Sequence, residues 1–209
     1  MLNIGKQPGV TLIELVVGIT IVGILLMLAI PSYKTWIQHQ QVRTGAESIL
    51  NGLRLARNAA VSNNSTARFV LCDANNKTAT WEVLAASATA PAPTASLACA
   101  GASPGSNAAA GDIRVEERSA KEGTKLVQII SVPAGATMVT FNSLGRVVNL
   151  NPVDNSLPFS QITVCMALDN ACSNTDDSDR PLQINVQTGG DARMCDPSPL
   201  LAANDPRHC

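Results

Sequence analysis

The sequence predicts an α+β chain. One long N-terminal helix, transmembrane in its first half and amphipathic in its second, packs on an antiparallel β-sheet, with a disulfide-stabilised C-terminal region. Three observations carry this. Val10 to Ile30 is apolar apart from Thr11, Glu14 and Thr20, and a helical pattern continues beyond it to Ala60. Short β-rich segments separated by turn residues then fill the chain to Gln187. All six cysteines, at 72, 99, 165, 172, 195 and 209, follow the apolar run.

The apolar run comes first. Its 21 residues reach roughly 31 Å at about 1.5 Å per residue, close to the hydrocarbon thickness of a bilayer. The run carries a carboxylate, Glu14, which costs on the order of a few kcal/mol in apolar surroundings unless it is paired. A secretory signal fits poorly, because the run exceeds the usual span of about 7–15 residues and no A-x-A site follows it. A plain membrane anchor explains the length but neither Glu14 nor the glycine just before the run. The leader MLNIGKQPG is short and polar with one lysine, and Thr11 and Glu14 stand at capping-box spacing.

After Pro31, Val42, Ala46, Ile49, Leu50, Leu53, Ala56 and Ala60 recur at i, i+3 and i+4, which gives the helix one buried face. Arg43, Glu47, Asn51, Arg54 and Asn58 occupy the other faces. Gly45, Gly52 and Pro31 are positions where it is expected to bend. With the apolar run this makes one helix of roughly 50 residues, about 75–80 Å long, ended by SNNST at 62–66.

Strands are expected at 66–72 and 78–84, joined as a hairpin across 73–77, and at 112–118, 125–132, 136–142, 146–150, 161–168 and 181–187. Leu144-Gly145 reads as a tight turn, and residues 85–111, rich in Ala, Ser, Thr, Pro and Gly, as a long surface loop.

The 209 residues suffice for one soluble domain plus a membrane segment, and the net charge of -1 points to no partner. Its distribution is uneven. Lys34, Arg43, Arg54, Arg57 and Arg68 against Glu47 leave residues 34–68 at +4, whereas seven aspartates against Arg180, Arg193 and Arg207 leave 169–209 at -4. The basic helix residues read as a solvated face or as contacts for acidic surfaces of neighbouring subunits. The even cysteine count suggests disulfides in an oxidising compartment. No C-x-x-C occurs, and His39 and His208 have no ligand spacing to the cysteines, so no metal is expected. Six cysteines allow many pairings; pairing neighbours in sequence gives Cys72–Cys99, Cys165–Cys172 and Cys195–Cys209.

Glu116-Glu117 and Asp176-Asp177-Ser178-Asp179 read as a solvated strand edge and a solvated loop; the latter lacks EF-hand spacing and its glycine. No triad, G-x-S-x-G or P-loop is present, so no catalytic residue, no cofactor and no enzymatic activity are expected.

The stretch GVTLIELVVGITIVGILLMLAIPSY resembles the class III signal of type IV prepilins and type II secretion pseudopilins. The resemblance implies cleavage after Gly9 by a prepilin peptidase, N-methylation of the new terminus at Val10, and an assembly role for Glu14. Pro31 and Tyr33 also fall where pilins commonly carry them. Pro8, where a basic or polar residue is more usual, and Val10, where phenylalanine is usual, depart from the pattern. The resemblance further implies that Glu14 pairs with the N-terminal amine of a neighbouring subunit, since a buried ion pair offsets its desolvation only when well matched.

FNSLGR at 141–146, ITVCMA at 162–167, TGGDARMCDP at 188–197 and DPRHC at 205–209 resemble the GspH/FimT/FimU branch of pilin-like proteins, FimU-type minor pilins most. The implied function is that of a minor type IV pilin priming assembly at the pilus tip. Its partners would be other minor and major pilins, and the inner membrane before assembly. A minor pseudopilin of a type II secretion system is the alternative. A FimT-like DNA-binding pilin is the second; Asp191 stands where that group has an arginine, and the local negative charge argues against DNA. The expected organisation is a leader at 1–9, a transmembrane or filament-core helix at 10–31, the amphipathic half at 32–65 and a periplasmic domain at 66–209. The chain would sit in the inner membrane as a single pass, then in the cell-surface pilus.

Overall fold

This computed structural model describes residues 9–72, 79–86, 112–119, 124, 126–166, 172, 180–202 and 204–209, with the side chains of 28–32 and 35 outside that set. The expected hairpin turn at 73–77, nearly all of the 85–111 loop with Cys99, the 176–179 acidic loop and the leader up to Pro8 lie outside the described residues.

A single helix, α1, runs over Leu12–Ser62. Its end is closed by backbone hydrogen bonds, with Ser62 Oγ donating to the Ala59 carbonyl at 3.3 Å. Asn64 takes φ 46°, and the N–H groups of Ser65 and Asn64 reach back to the carbonyls of Ala60 and Val61 at 3.1 and 3.2 Å. This is a Schellman close with asparagine at the left-handed position. Two compact units divide the chain, Met1–Ile37 and Gln38–Cys209.

From Leu12 to Met27 the helix is exposed and, apart from Glu14 and Thr20, apolar: Leu12, Ile13, Leu15, Ile19, Ile24 and Met27 all stand open. Tyr33 and Trp36, also exposed, stack with ring centroids 6.1 Å apart.

In the second unit the strands are β1 (Ala67–Leu71), β2 (Trp81–Ala86), β3 (Asp112–Arg118), β4 (Val127–Val132), β5 (Met138–Phe141), β6 (Gln161–Met166), β7 (Leu182–Val186) and β8 (Ala192–Cys195). They form two four-stranded antiparallel sheets, ordered β3-β2-β1-β5 and β4-β6-β7-β8. The α+β class read from the sequence, a long helix on antiparallel β-sheet, holds, with the strands divided between two sheets.

The helix face predicted to be buried is buried in full, from Val42 to Ala60. Its glycines serve close approach. A Cβ at Gly52 would lie 2.7 Å from Phe69 and 3.0 Å from Trp81, and one at Gly45 would lie 3.2 Å from Val127 and 3.5 Å from Val164. One glycine thus seats the helix on the first sheet and the other on the second. Trp81 Nε1 donates to Ser48 Oγ at 2.8 Å, and Phe69 packs against Trp81 and edge-on to Phe159, with centroids at 5.5 and 6.1 Å.

Three strand expectations change. Residues 146–150 form no ladder strand. Val147 makes one isolated bridge to Phe141, while its N–H goes to the Thr188 carbonyl at 3.1 Å, so this segment stitches the first sheet to the β7–β8 turn. Strand β2 starts at Trp81 and continues to Ala86, inside the expected loop. Strand β8 was not anticipated; it pairs with β7 through a turn in which the Gly190 N–H meets the Gln187 carbonyl at 2.8 Å and Gly190 takes φ 83°.

The first sheet buries charge on its face away from the helix. Arg68, Glu82, Asp112 and Arg114 are all nearly inaccessible. Arg68 pairs with Asp112, and Arg114 pairs with Glu82 at 2.9 Å and Glu117 at 3.7 Å. Burial pulls the Arg68 guanidinium down to about 10, against the attraction of Glu82. Burial likewise pushes the Glu82 carboxyl up, and Arg114 pulls it back. Asn151, fully buried, closes this face by bonding Thr140 Oγ1, the Met138 carbonyl and Ser156 Oγ.

Candidate assembly sites

The N-terminal site is simple in geometry. Gly9, Val10 and Thr11 precede the helix and are exposed. Thr11 Oγ1 accepts the Glu14 N–H at 3.4 Å and its carbonyl accepts the Leu15 N–H at 3.2 Å, so Thr11 is the cap that starts α1. A Cβ at Gly9 would meet nothing within 4 Å, so packing does not require glycine there. Glu14 is exposed among apolar side chains and has no ion-pair partner among the described residues. A helix apolar all round is one that is covered by lipid or by other protein. Among the described residues no helix is long and apolar enough to cross a membrane. The part of the run whose side chains are described spans Leu12 to Met27, sixteen residues or about 24 Å.

The C-terminal site is a closed loop. Cys195 and Cys209 form a disulfide with Cα atoms 5.1 Å apart, and Cys165 and Cys172 form another at 5.4 Å. Cys72 is also disulfide-bonded. Beside the Cys195–Cys209 closure, the Asp196 N–H meets the Arg207 carbonyl at 2.6 Å, the Cys209 N–H meets the Asp196 carbonyl at 3.2 Å, and Arg193 Nη2 donates to the Pro206 carbonyl at 2.7 Å. Asp205 accepts side-chain and backbone hydrogen bonds from Arg207 at 2.8–3.1 Å, which hold its carboxyl at about 2 instead of 3.8. A lowered carboxylate stabilises the loop above its ordinary value, and the effect is lost as pH falls towards about 2. Replacing Arg207 with glutamine is expected to return the Asp205 midpoint towards 3.8, read by NMR titration of its side-chain carbon; an unchanged midpoint would show that Arg207 is not the cause.

Between the sheets lies a junction that the sequence did not disclose. The FNSLGR segment turns on Asn142, whose Oδ1 accepts the N–H groups of Leu144 and Arg146, each at 3.0 Å. Gly145 takes φ 73°, and a Cβ there would sit 3.1 Å from Arg57 and from Val61 of the helix. Gly190 comes so near that a Cβ on it would overlap the Gly145 carbonyl. Asp191 then lies 4.0 Å from Arg57. The aspartate that replaces the expected arginine therefore faces a cation of the chain's own helix.

Arg43 pairs with Glu47 at 2.8 Å on the exposed helix face. Glu116 is exposed, whereas Glu117 bonds to the buried Arg114 and is more than a solvated edge. Among the described residues no group of His, Cys, Asp and Glu is arranged to hold a metal ion.

The family model described as type II transport protein GspH matches residues 45–190. A model of the prokaryotic N-terminal methylation motif matches residues 4–30. No curated protein matches the chain. Two crystal structures of the type IV minor pilin FimU of Pseudomonas aeruginosa are similar. The one in space group P21 is 14% identical, covers 76% of this chain and 91% of its own, and has a TM-score of 0.45. The one in P65 is 14% identical, covers 73% and 90%, and has a TM-score of 0.41.

Proposed function

Since the chain belongs to the pilin-like family of the type II transport protein GspH and opens with the prokaryotic N-terminal methylation motif, we propose that it is a minor type IV pilin that primes assembly at the pilus tip. On this reading residues 1–9 are a leader removed by prepilin peptidase, and Val10 carries the N-methyl group. Residues 10–31 pass from the inner membrane to the filament core, 32–65 form the amphipathic half of the helix, and 66–209 form the periplasmic domain. Other minor pilins and the major pilin are its partners, and it acts by assembly, without catalysis.

The observation that carries the reading is Glu14: the one carboxylate in an exposed stretch, Leu12–Met27, that is otherwise apolar but for Thr20. Such a group requires a cation when the surface is covered. Cleavage after Gly9 creates one on Val10, and methylation keeps its charge. The freedom of Gly9 from any packing contact agrees with a glycine held for a peptidase.

The test is expression of the full chain with its peptidase and pilus machinery. Wild-type protein from sheared filaments is expected to lack residues 1–9 and to carry one methyl on Val10 by mass spectrometry. Gly9→Val is expected to keep the leader and be missing from filaments. Glu14→Ala is expected to be processed yet reduced in filaments by at least about tenfold, the worth of one matched buried pair. Uncleaved protein that still assembles would defeat the proposal.

A second reading, a minor pseudopilin of a type II secretion system, is supported by the description of the matching family. Deleting the gene separates them: lost pili support the first, lost secretion the second.

A further inference from the structure

Two observations coincide on one small area of the folded domain. An open groove of about 370 Å³ runs between the Asn142–Asn149 segment and Thr188. Leu144, Val147 and Val148 give it apolar walls, Asn142, Asn149 and Thr188 give it amide and hydroxyl groups, and Arg146 gives it charge. Positive charge also gathers beside it. Arg57 abuts Gly145, and Arg54 lies one helical turn earlier on the same exposed face. Against these three cations stands Asp191, at 4.0 Å from Arg57 with both side chains well exposed. Arg54 and Arg146 form no ion pair among the described residues.

The groove is formed in advance of any ligand. The Gly145 N–H meets the Asn142 carbonyl at 2.8 Å, the Val148 N–H meets the Thr140 carbonyl at 3.0 Å, and the Val147 N–H is held by Thr188. A rigid rim of this kind loses little entropy on binding. Leu144, 75% exposed, stands at that rim.

We propose that this groove docks an extended acidic and apolar segment of a neighbouring filament subunit, with a carboxylate on Arg146 and apolar side chains on Leu144 and Val148. The identity of the partner rests on the reading of the chain as a pilin; the chemistry of the ligand does not. Charge complementarity selects an acid. The half-apolar walls select a peptide over a nucleic acid, because a phosphate backbone is tracked by a row of cations and has no apolar side chains to cover Leu144 and Val148.

The experiment uses the full chain in detergent micelles and a fluorescein-labelled Asp-Leu-Asp-Leu-Asp peptide, followed by anisotropy, with a 20-base-pair DNA duplex as competitor. Arg146→Gln is expected to weaken peptide binding about tenfold, the worth of one charge-assisted contact. Leu144→Asp is expected to weaken it at least as much. Asp191→Asn is expected to tighten it about two- to threefold by releasing Arg57. Peptide binding that none of these changes alters, or no binding at millimolar peptide, would overturn the proposal. So would tighter binding of the duplex that Arg146→Gln abolishes, which would assign the groove to a phosphate polymer.

A photocrosslinking residue in place of Leu144 decides the partner in cells. An adduct with another subunit in sheared filaments supports the proposal. Incorporation without an adduct overturns it and leaves the pilin reading intact. Absence of wild-type chain from filaments overturns the pilin reading, while the peptide titration still decides the groove.

Discussion

Glu82→Ala is expected to destabilise the folded domain by about 3–5 kcal/mol, the usual effect of removing one partner of a buried ion pair. Glu82 is fully buried and receives Arg114 Nη2 at 2.9 Å and Nε at 3.0 Å. It also attracts Arg68, so its loss leaves two buried cations with less compensation. Urea denaturation with the disulfides intact measures the effect. Glu82→Gln, which keeps an acceptor, is expected to lose less. Replacing Glu82 and Arg114 together by leucine is expected to recover most of the loss, since two apolar side chains need no ionic partner. A loss below about 1 kcal/mol for Glu82→Ala is the behaviour of a solvated pair and would contradict this burial.

The second large effect is at Gly190. Gly190→Ala is expected to cost about 3 kcal/mol or more, through two causes that add. Its φ of 83° disfavours any side chain, and a Cβ would overlap the Gly145 carbonyl, which belongs to a turn fixed by four hydrogen bonds. Gly135→Ala separates the causes. Gly135 takes φ 80° with nothing within 4 Å of its would-be Cβ, so it is expected to lose only about 1 kcal/mol. Equal losses at the two positions would show that the contact between the turns does not form.

What the sequence made legible follows its periodicities. The helix was readable because Val42 to Ala60 keep one face apolar at a spacing that only a helix brings together. Seven strands were readable because their β-rich runs end in turn residues. The split into two sheets was not, because the period within a strand says nothing about which strand lies beside it. Strand β8 escaped notice since Ala192–Cys195 is short and its strand character comes from pairing with β7. The reverse error at 146–150 has the same origin: a β-rich run whose hydrogen bonds divide between the end of β5 and the β7–β8 turn. Arg68, Glu82 and Arg114 alternate with apolar residues as solvent-facing positions do, yet they are buried against one another. Pattern alone does not separate a polar residue facing water from one facing its counter-charge. At the N-terminal site Thr11 was legible as the cap from its spacing to Glu14, and the Glu14 N–H on its Oγ1 agrees; the roles of Gly9, Val10 and Glu14 rest on the motif. The groove beside Gly145 could not be foreseen, because it unites positions more than forty residues apart.

The placement of the two tryptophans has a spectroscopic consequence. Trp36 lies in the first unit, 56% exposed, and Trp81 lies in the second, 1% exposed. Each unit therefore carries its own emitter. Trp36 should emit at long wavelength in micelle-free solution and be quenched by iodide, whereas Trp81, hydrogen-bonded to Ser48 under the helix, should emit to the blue and resist quenching. A Trp36→Phe chain would then report by colour alone whether the helix is seated on its sheet. A Trp81→Phe chain would report when lipid or a neighbouring subunit closes over the base of the apolar helix.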